Sequence, residues 1–198
     1  MNYDISELIC TRISHDLIGN IGAVANAVEL LEEGDMDFLP DIHSILKVSS
    51  TTLSARLKFF RMAFGVGNSN LEDTALVKKT IVEYLATIGG KTPPTADIDF
   101  SSAKYSRAIM LAVMALSDLL IRGGIIRVAE KNNQIFVGIE EGTKLAEDKL
   151  AQSIKVLNQT TDGVSAQDVP LLYLVDACKK LDIKLGGQAS PSLCFVLE

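Results

Sequence analysis

A chain of 198 residues, 47% hydrophobic and 22% charged, has the composition of one large or two small folded units and is not a disordered protein. Its formal net charge of −6 argues against a nucleic-acid binder, which needs a basic face to neutralise phosphates. The opening MNYDISE is acidic and lacks a signal peptide's basic n-region, and the most apolar run, residues 108–121, is broken by Ser117 and Asp118 and is shorter than the roughly 20 residues of a membrane span. A cytoplasmic protein without membrane partners is expected.

Three cysteines, Cys10, Cys178 and Cys194, stand far apart with no C-x-x-C, and there are two histidines. That set predicts reduced thiols and no metal site.

Along the chain, Ile5, Leu8, Ile9, Ile13, Leu17, Ile21, Val24, Val28 and Leu31 recur at steps of three and four, the stripe of a helix. Gly34 suits its C-cap. A second helix is predicted from Asp37 or Leu39, with Pro40 at an early position, through Ile42, Ile45, Leu46, Leu53, Leu57 and Phe60, broken by FGVGNSN. Residues 1–67 therefore read as a helical hairpin. Two helices cannot enclose a core. Pairing with a second copy would give a dimeric four-helix bundle; packing on the chain's own C-terminal half is the alternative.

Residues 68–198 read differently. A helix is expected over residues 71–90, ending at Gly89-Gly90. TADIDFSS alternates as a strand with Ile98 and Phe100 on one face. A long buried helix closed by Gly123-Gly124 follows, then a hairpin around KNN. Two more helices and a final hairpin, IKLGGQASPSLCFVLE, complete an α+β sandwich with helices on one face of a mainly antiparallel sheet.

The chemistry concentrates in RISHDLIGNIGAVANAVELL. Imidazole has a reference pKa near 6.5, so roughly three-quarters is neutral and nucleophilic at pH 7. A neutral ring nitrogen can attack phosphorus. Asp16 could hold the other ring N–H of His15, although adjacent helix residues do not face each other and the contact needs a favourable rotamer. His15 lies round the helix from Ile13 and Leu17. On its own side come Ile18, Gly19 and Gly22. Each glycine costs the helix about 1 kcal/mol relative to alanine, which is easier to understand if a partner backbone approaches. Arg12, one turn before, either steadies a transferring phosphoryl group or pairs with Asp16 at i, i+4.

At RISHDLIGNIGAVANAVELLEEG the chain resembles the H-box helix of two-component histidine kinases, and most closely the ChpT-type histidine phosphotransferases. LSDLLIRGGIIRVAE and ASPSLCFVLE fall where that family carries its reduced ATPase-like (Bergerat) domain. The resemblance implies a dimeric hairpin followed by a degenerate ATPase-like domain. It implies His15 as phosphoacceptor and Asp16 as its acid/base or orienting partner. The family's proline five residues after the histidine is Asn20 here, so the helix would bend less, or bend at Gly19 and Gly22. The helix expected to carry a kinase's Mg²⁺-binding asparagine has Ser117 and Asp118 instead, and VGIEEGTKL stands where D-x-G-x-G would be, so loss of nucleotide binding is expected. The implied function is phosphorelay: His15 takes a phosphoryl group from a receiver-domain aspartyl-phosphate and passes it to a response-regulator aspartate, with Mg²⁺ held by the receiver and no cofactor in this chain. Arg12, Ile18, Gly19 and Gly22 are the docking residues expected on the first helix, and Arg56, Phe59, Phe60 and Arg61 on the second. A divergent ATP-dependent kinase core and a non-catalytic receiver-binding scaffold are the alternatives.

Overall fold

The computed structural model describes residues 4–34, 36–67, 69–89, 92–158, 163–188 and 194–198. The sequence-predicted hairpin is present. Helix α1 (Ile5–Glu33) starts at Asp4, whose carboxylate accepts from the Ser6 N–H at 2.8 Å, and stops at Gly34, left-handed at φ 75°. A short 3₁₀ turn (Met36–Phe38) leads into α2 (Leu39–Phe64), with Pro40 in its first turn and Gly65 at its end. Helices α1 and α2 lie against each other.

Helix α3 (Thr74–Leu85), strand β1 (Thr95–Asp99), helix α4 (Ser106–Ser117) and strands β2 (Ile125–Lys131) and β3 (Gln134–Ile139) follow. Helices α5 (Glu147–Leu157) and α6 (Val169–Lys180) precede the last strands, β4 (Leu185–Gln188) and β5 (Cys194–Leu197). The fold is α+β. The sheet runs β1-β2-β3-β5-β4, with β1 parallel to β2 and every other pair antiparallel. The β2–β3 turn is Asn132-Asn133 at φ 52° and 63°, the left-handed pair that a two-residue hairpin requires and that asparagine tolerates. The turn joining β4 to β5 lies outside the described residues.

Helix α4 is the centre of the core. Ala108 through Met114 are fully buried, so it is apolar on all sides and packs between the sheet and helices α3 and α6. Ile126, Val128, Ile135, Val137, Ile139, Phe195 and Leu197 line the covered face of the sheet. Two predicted helix ends move inward. Helix α3 stops at Leu85 rather than Gly89, because Thr87 folds back and donates from Oγ1 to the Tyr84 carbonyl at 2.7 Å; Gly90 lies outside the described residues. Helix α4 stops at Ser117, not at Gly123-Gly124. Those glycines instead start β2: Gly123 is left-handed at φ 65°, and a Cβ there would stand 2.8 Å from the Thr92 carbonyl oxygen.

The hairpin is fastened to the rest through aromatic and arginine contacts. Phe59 stacks on Tyr84 with centroids 3.9 Å apart, and Phe60 meets both rings edge-on. Arg107 donates to the carbonyls of Gly65 (2.8 Å) and Gly67 (2.9 Å). Phe59 and Phe60, expected as docking residues, are therefore core residues: both are buried between α2 and α3. A run of two aromatics near the end of an amphipathic helix marks an interface in either case, and here the chain's own α3 fills it.

Candidate phosphoacceptor site

His15 sits in the third turn of α1, with its side chain 81% exposed. The neighbouring Leu17 turns inward and is buried. The spacing alone separates the two: residues two apart point to different sides of a helix, so the stripe that buries Leu17 leaves His15 facing solvent. His15 Nδ1 lies 3.4 Å from Asp16 Oδ1. In the tautomer that carries its proton on Nδ1, that nitrogen donates to Asp16 Oδ1 and Nε2 holds the lone pair.

Asp16 is held in turn. Its Oδ2 accepts from Arg12 Nε at 2.8 Å. The two terminal nitrogens of Arg12 form a fork onto Asp118, at 2.8 and 2.9 Å, and one of them also reaches the Gln167 carbonyl at 3.4 Å. Asp118 caps the end of α4. One imidazole on the hairpin is thus tied through two carboxylates and a guanidinium to the buried helix of the second half. Burial opposes the charge on Arg12, but its hydrogen bonds to Asp118 and the charges of Asp118 and Asp16 outweigh it, so the guanidinium is held above its ordinary pKa. Burial pushes Asp118 above the usual carboxylate range, and Arg12 partly offsets this.

Arg56 braces the same turn from the other side. It donates to the backbone carbonyl of Asp16, to Thr87 Oγ1 at 3.1 Å and to the Thr87 carbonyl at 2.8 Å. Arg12 is consequently corrected from a docking residue to an internal tie, while Arg56, half-buried, is engaged by these bonds within the chain. Arg12 is buried, and of the two readings of its spacing the structure takes the pairing with Asp16. Ile18 (64% exposed), Gly19, Gly22 and Arg61 do face solvent. A Cβ at Gly19 or Gly22 would meet nothing within 4 Å, so nothing in the chain itself demands glycine there.

Asp118 is the residue whose connection to this site the sequence does not reveal. It lies 106 positions from Arg12, and only its isolation as the one charge in the run 108–121 signals that it needs a buried cation. Behind it, a cavity of about 300 Å³ is lined by Asp118, Asp148, Lys149, Gln152, Gln167 and Asp168, among others. Among the described residues, no group of three or more His, Cys, Asp or Glu side chains is gathered as metal ligands. No described helix is long and apolar enough to cross a membrane.

The chain is similar to protein phosphotransferase ChpT of Brucella abortus, with 42% identity over 83 residues; the matched stretch covers 41% of this chain and 39% of that protein. The likeness to ChpT-type histidine phosphotransferases read from the first helix is borne out by that match. A solved structure, described as the 1.7 Å structure of a bacterial phosphotransferase, superposes with a TM-score of 0.74 over all of this chain and 98% of the other. At 23% identity that second likeness concerns the fold. No protein-family model matches the chain.

Proposed function

We propose that the chain is a histidine phosphotransferase of a two-component phosphorelay, with His15 as the phosphoacceptor. The observation that carries the reading is an exposed imidazole with one nitrogen engaged by a carboxylate and the other open to a visiting protein. The Nε2 lone pair attacks the phosphorus of a receiver's aspartyl-phosphate; the N–P bond forms as the P–O bond to the carboxylate breaks. The ring becomes cationic, and Asp16 stabilises that charge through Nδ1–H. Passing the group to a second receiver's aspartate reverses the step. The work is positioning and charge stabilisation rather than new covalent machinery.

Ile18, Gly19, Gly22 and Arg61 form the docking surface in this reading. The small residues beside His15 leave room for a receiver backbone. Mg²⁺ belongs to the receiver's acidic pocket, and this chain needs no cofactor. The cavity behind Asp118 supports that view, because its described lining sets three carboxylates against one lysine, an unfavourable field for a polyphosphate.

The hairpin, taken as residues 1–67, also serves as a dimerisation stem, and residues 68–198 as the ATPase-like unit that selects receivers. Ile21, Ala25 and Val28 follow one face of α1, and Ile21 and Val28 stay exposed, as do Ile45 and Val48 on α2. A two-fold bundle covers these stripes.

Radiolabelled Mg·ATP alone should leave the purified protein unlabelled, and a phosphorylated receiver should label it. His15→Gln should remove the label. Labelling from ATP alone would instead make the chain a kinase. No label from either source, with receiver binding retained, would make it a scaffold.

A further inference from the structure

We propose that Arg12 and Asp118 are positioning residues for His15: Asp118, carried by the second half of the chain, orients the Asp16 carboxylate through Arg12 and so selects which imidazole nitrogen stays free. The purpose assigned to this chain of contacts rests on the phosphotransfer reading above; the contacts themselves do not.

Asp16 has no default reason to turn toward His15, because consecutive helix positions diverge by about 100°. Something must hold it there. Arg12 takes Oδ2 with Nε at 2.8 Å, which leaves Oδ1 as the oxygen 3.4 Å from His15 Nδ1. By using Nε for Asp16, Arg12 keeps both terminal nitrogens for Asp118, at 2.8 and 2.9 Å. Only a guanidinium has donors for a two-point fork and a third bond from a separate edge; a lysine ammonium lacks that geometry.

Asp118 is a fixed anchor. It follows the last turn of α4, whose residues from Ala108 to Met114 are fully buried, and its backbone carbonyl accepts from Lys149 Nζ at 3.1 Å. Arg56 fixes the other end by donating to the Asp16 carbonyl while bonded to Thr87. Asp16 is thus clamped at backbone and side chain by two arginines that both reach into the second half of the molecule. A tie serving only to hold the two halves together would not need to pass through the carboxylate that touches the acceptor imidazole.

The test uses the full-length protein with ¹⁵N-labelled histidine. His43 is assigned by comparison with His15→Gln. The ring-nitrogen shifts of neutral His15 should show the proton on Nδ1 in the wild type. Asp118→Asn and Arg12→Lys should each move the population toward Nε2–H. With a phosphorylated receiver, each should also slow the limiting rate of acceptance by about tenfold, with the half-saturating receiver concentration within twofold of wild type, as expected for misplacement of a reacting group. The double variant should be no slower than the slower single, since both act through one chain of contacts. A wild-type ring protonated mainly on Nε2 would overturn the proposal. So would wild-type tautomer populations retained in both variants. Should Asp118→Asn fail to fold, Arg12→Lys gives the same comparison and the wild-type tautomer stands as a test by itself. If the wild-type protein accepts no phosphoryl group, the transfer reading fails while the tautomer measurement still decides this one.

Discussion

At the scale of single residues, the site is a matter of which atoms are left over. Asp16 spends one oxygen on Arg12 and offers the other to His15; Arg12 spends all three of its nitrogens on carboxylates. What remains unengaged is His15 Nε2, the one atom the proposed chemistry needs. The thiols divide along a similar line. Cys10 is exposed, whereas burial pushes the Cys178 thiol up to about 11. At pH 8 only about one part in a thousand of Cys178 is thiolate, and the thiolate is the reactive form. Brief iodoacetamide treatment of the native protein should therefore alkylate Cys10 and spare Cys178, with denaturation exposing all three cysteines, as read by peptide mass mapping. Equal rates at Cys10 and Cys178 would contradict the burial of α6. The His15-Asp16 pair itself was legible in the sequence, because the helical stripe leaves His15 off the buried face. The role of Arg12 was legible only as a choice between two partners, since its second carboxylate is distant in sequence and reached only through the fold.

At the scale of elements, helix identity followed from periodicity, and helix ends did not. Helices α1 and α2 end at glycines that the sequence marks, and there the expectation and the structure agree. Helices α3 and α4 end earlier, at Leu85 and Ser117, and just beyond them the side chains of Thr87 and Asp118 accept tertiary hydrogen bonds from Arg56 and Arg12 that no local pattern announces. The glycines that looked like their stops serve the entry to β2 in one case. The same limit explains Phe59 and Phe60: amphipathic spacing shows that they face something, and only the fold shows that it is α3. Phe59→Ala removes a fully buried ring stacked on Tyr84 and should destabilise the protein by about 3–5 kcal/mol in urea unfolding. A loss below about 1 kcal/mol would mean that the hairpin is not packed on α3 as described.

At the scale of the whole molecule, the hairpin has two faces with two tasks. One is sealed onto α3, α6 and the turn before α6; the other carries His15 and the exposed apolar stripe. Light scattering should give twice the chain mass for the wild type. Ile21→Asp combined with Val28→Asp places charges in the middle of the stripe and should give monomers with the far-ultraviolet spectrum unchanged. A monomeric wild type would remove the two-fold stem from the account while leaving His15 exposed. The central claim lies at the imidazole. Its most direct measurement is tandem mass spectrometry of the protein after incubation with a phosphorylated receiver, under the neutral to alkaline conditions that preserve phosphohistidine. The account predicts a phosphoryl group on His15. A modified chain with the group on another residue, or an unmodified chain beside a receiver that has docked and kept its phosphate, would contradict it.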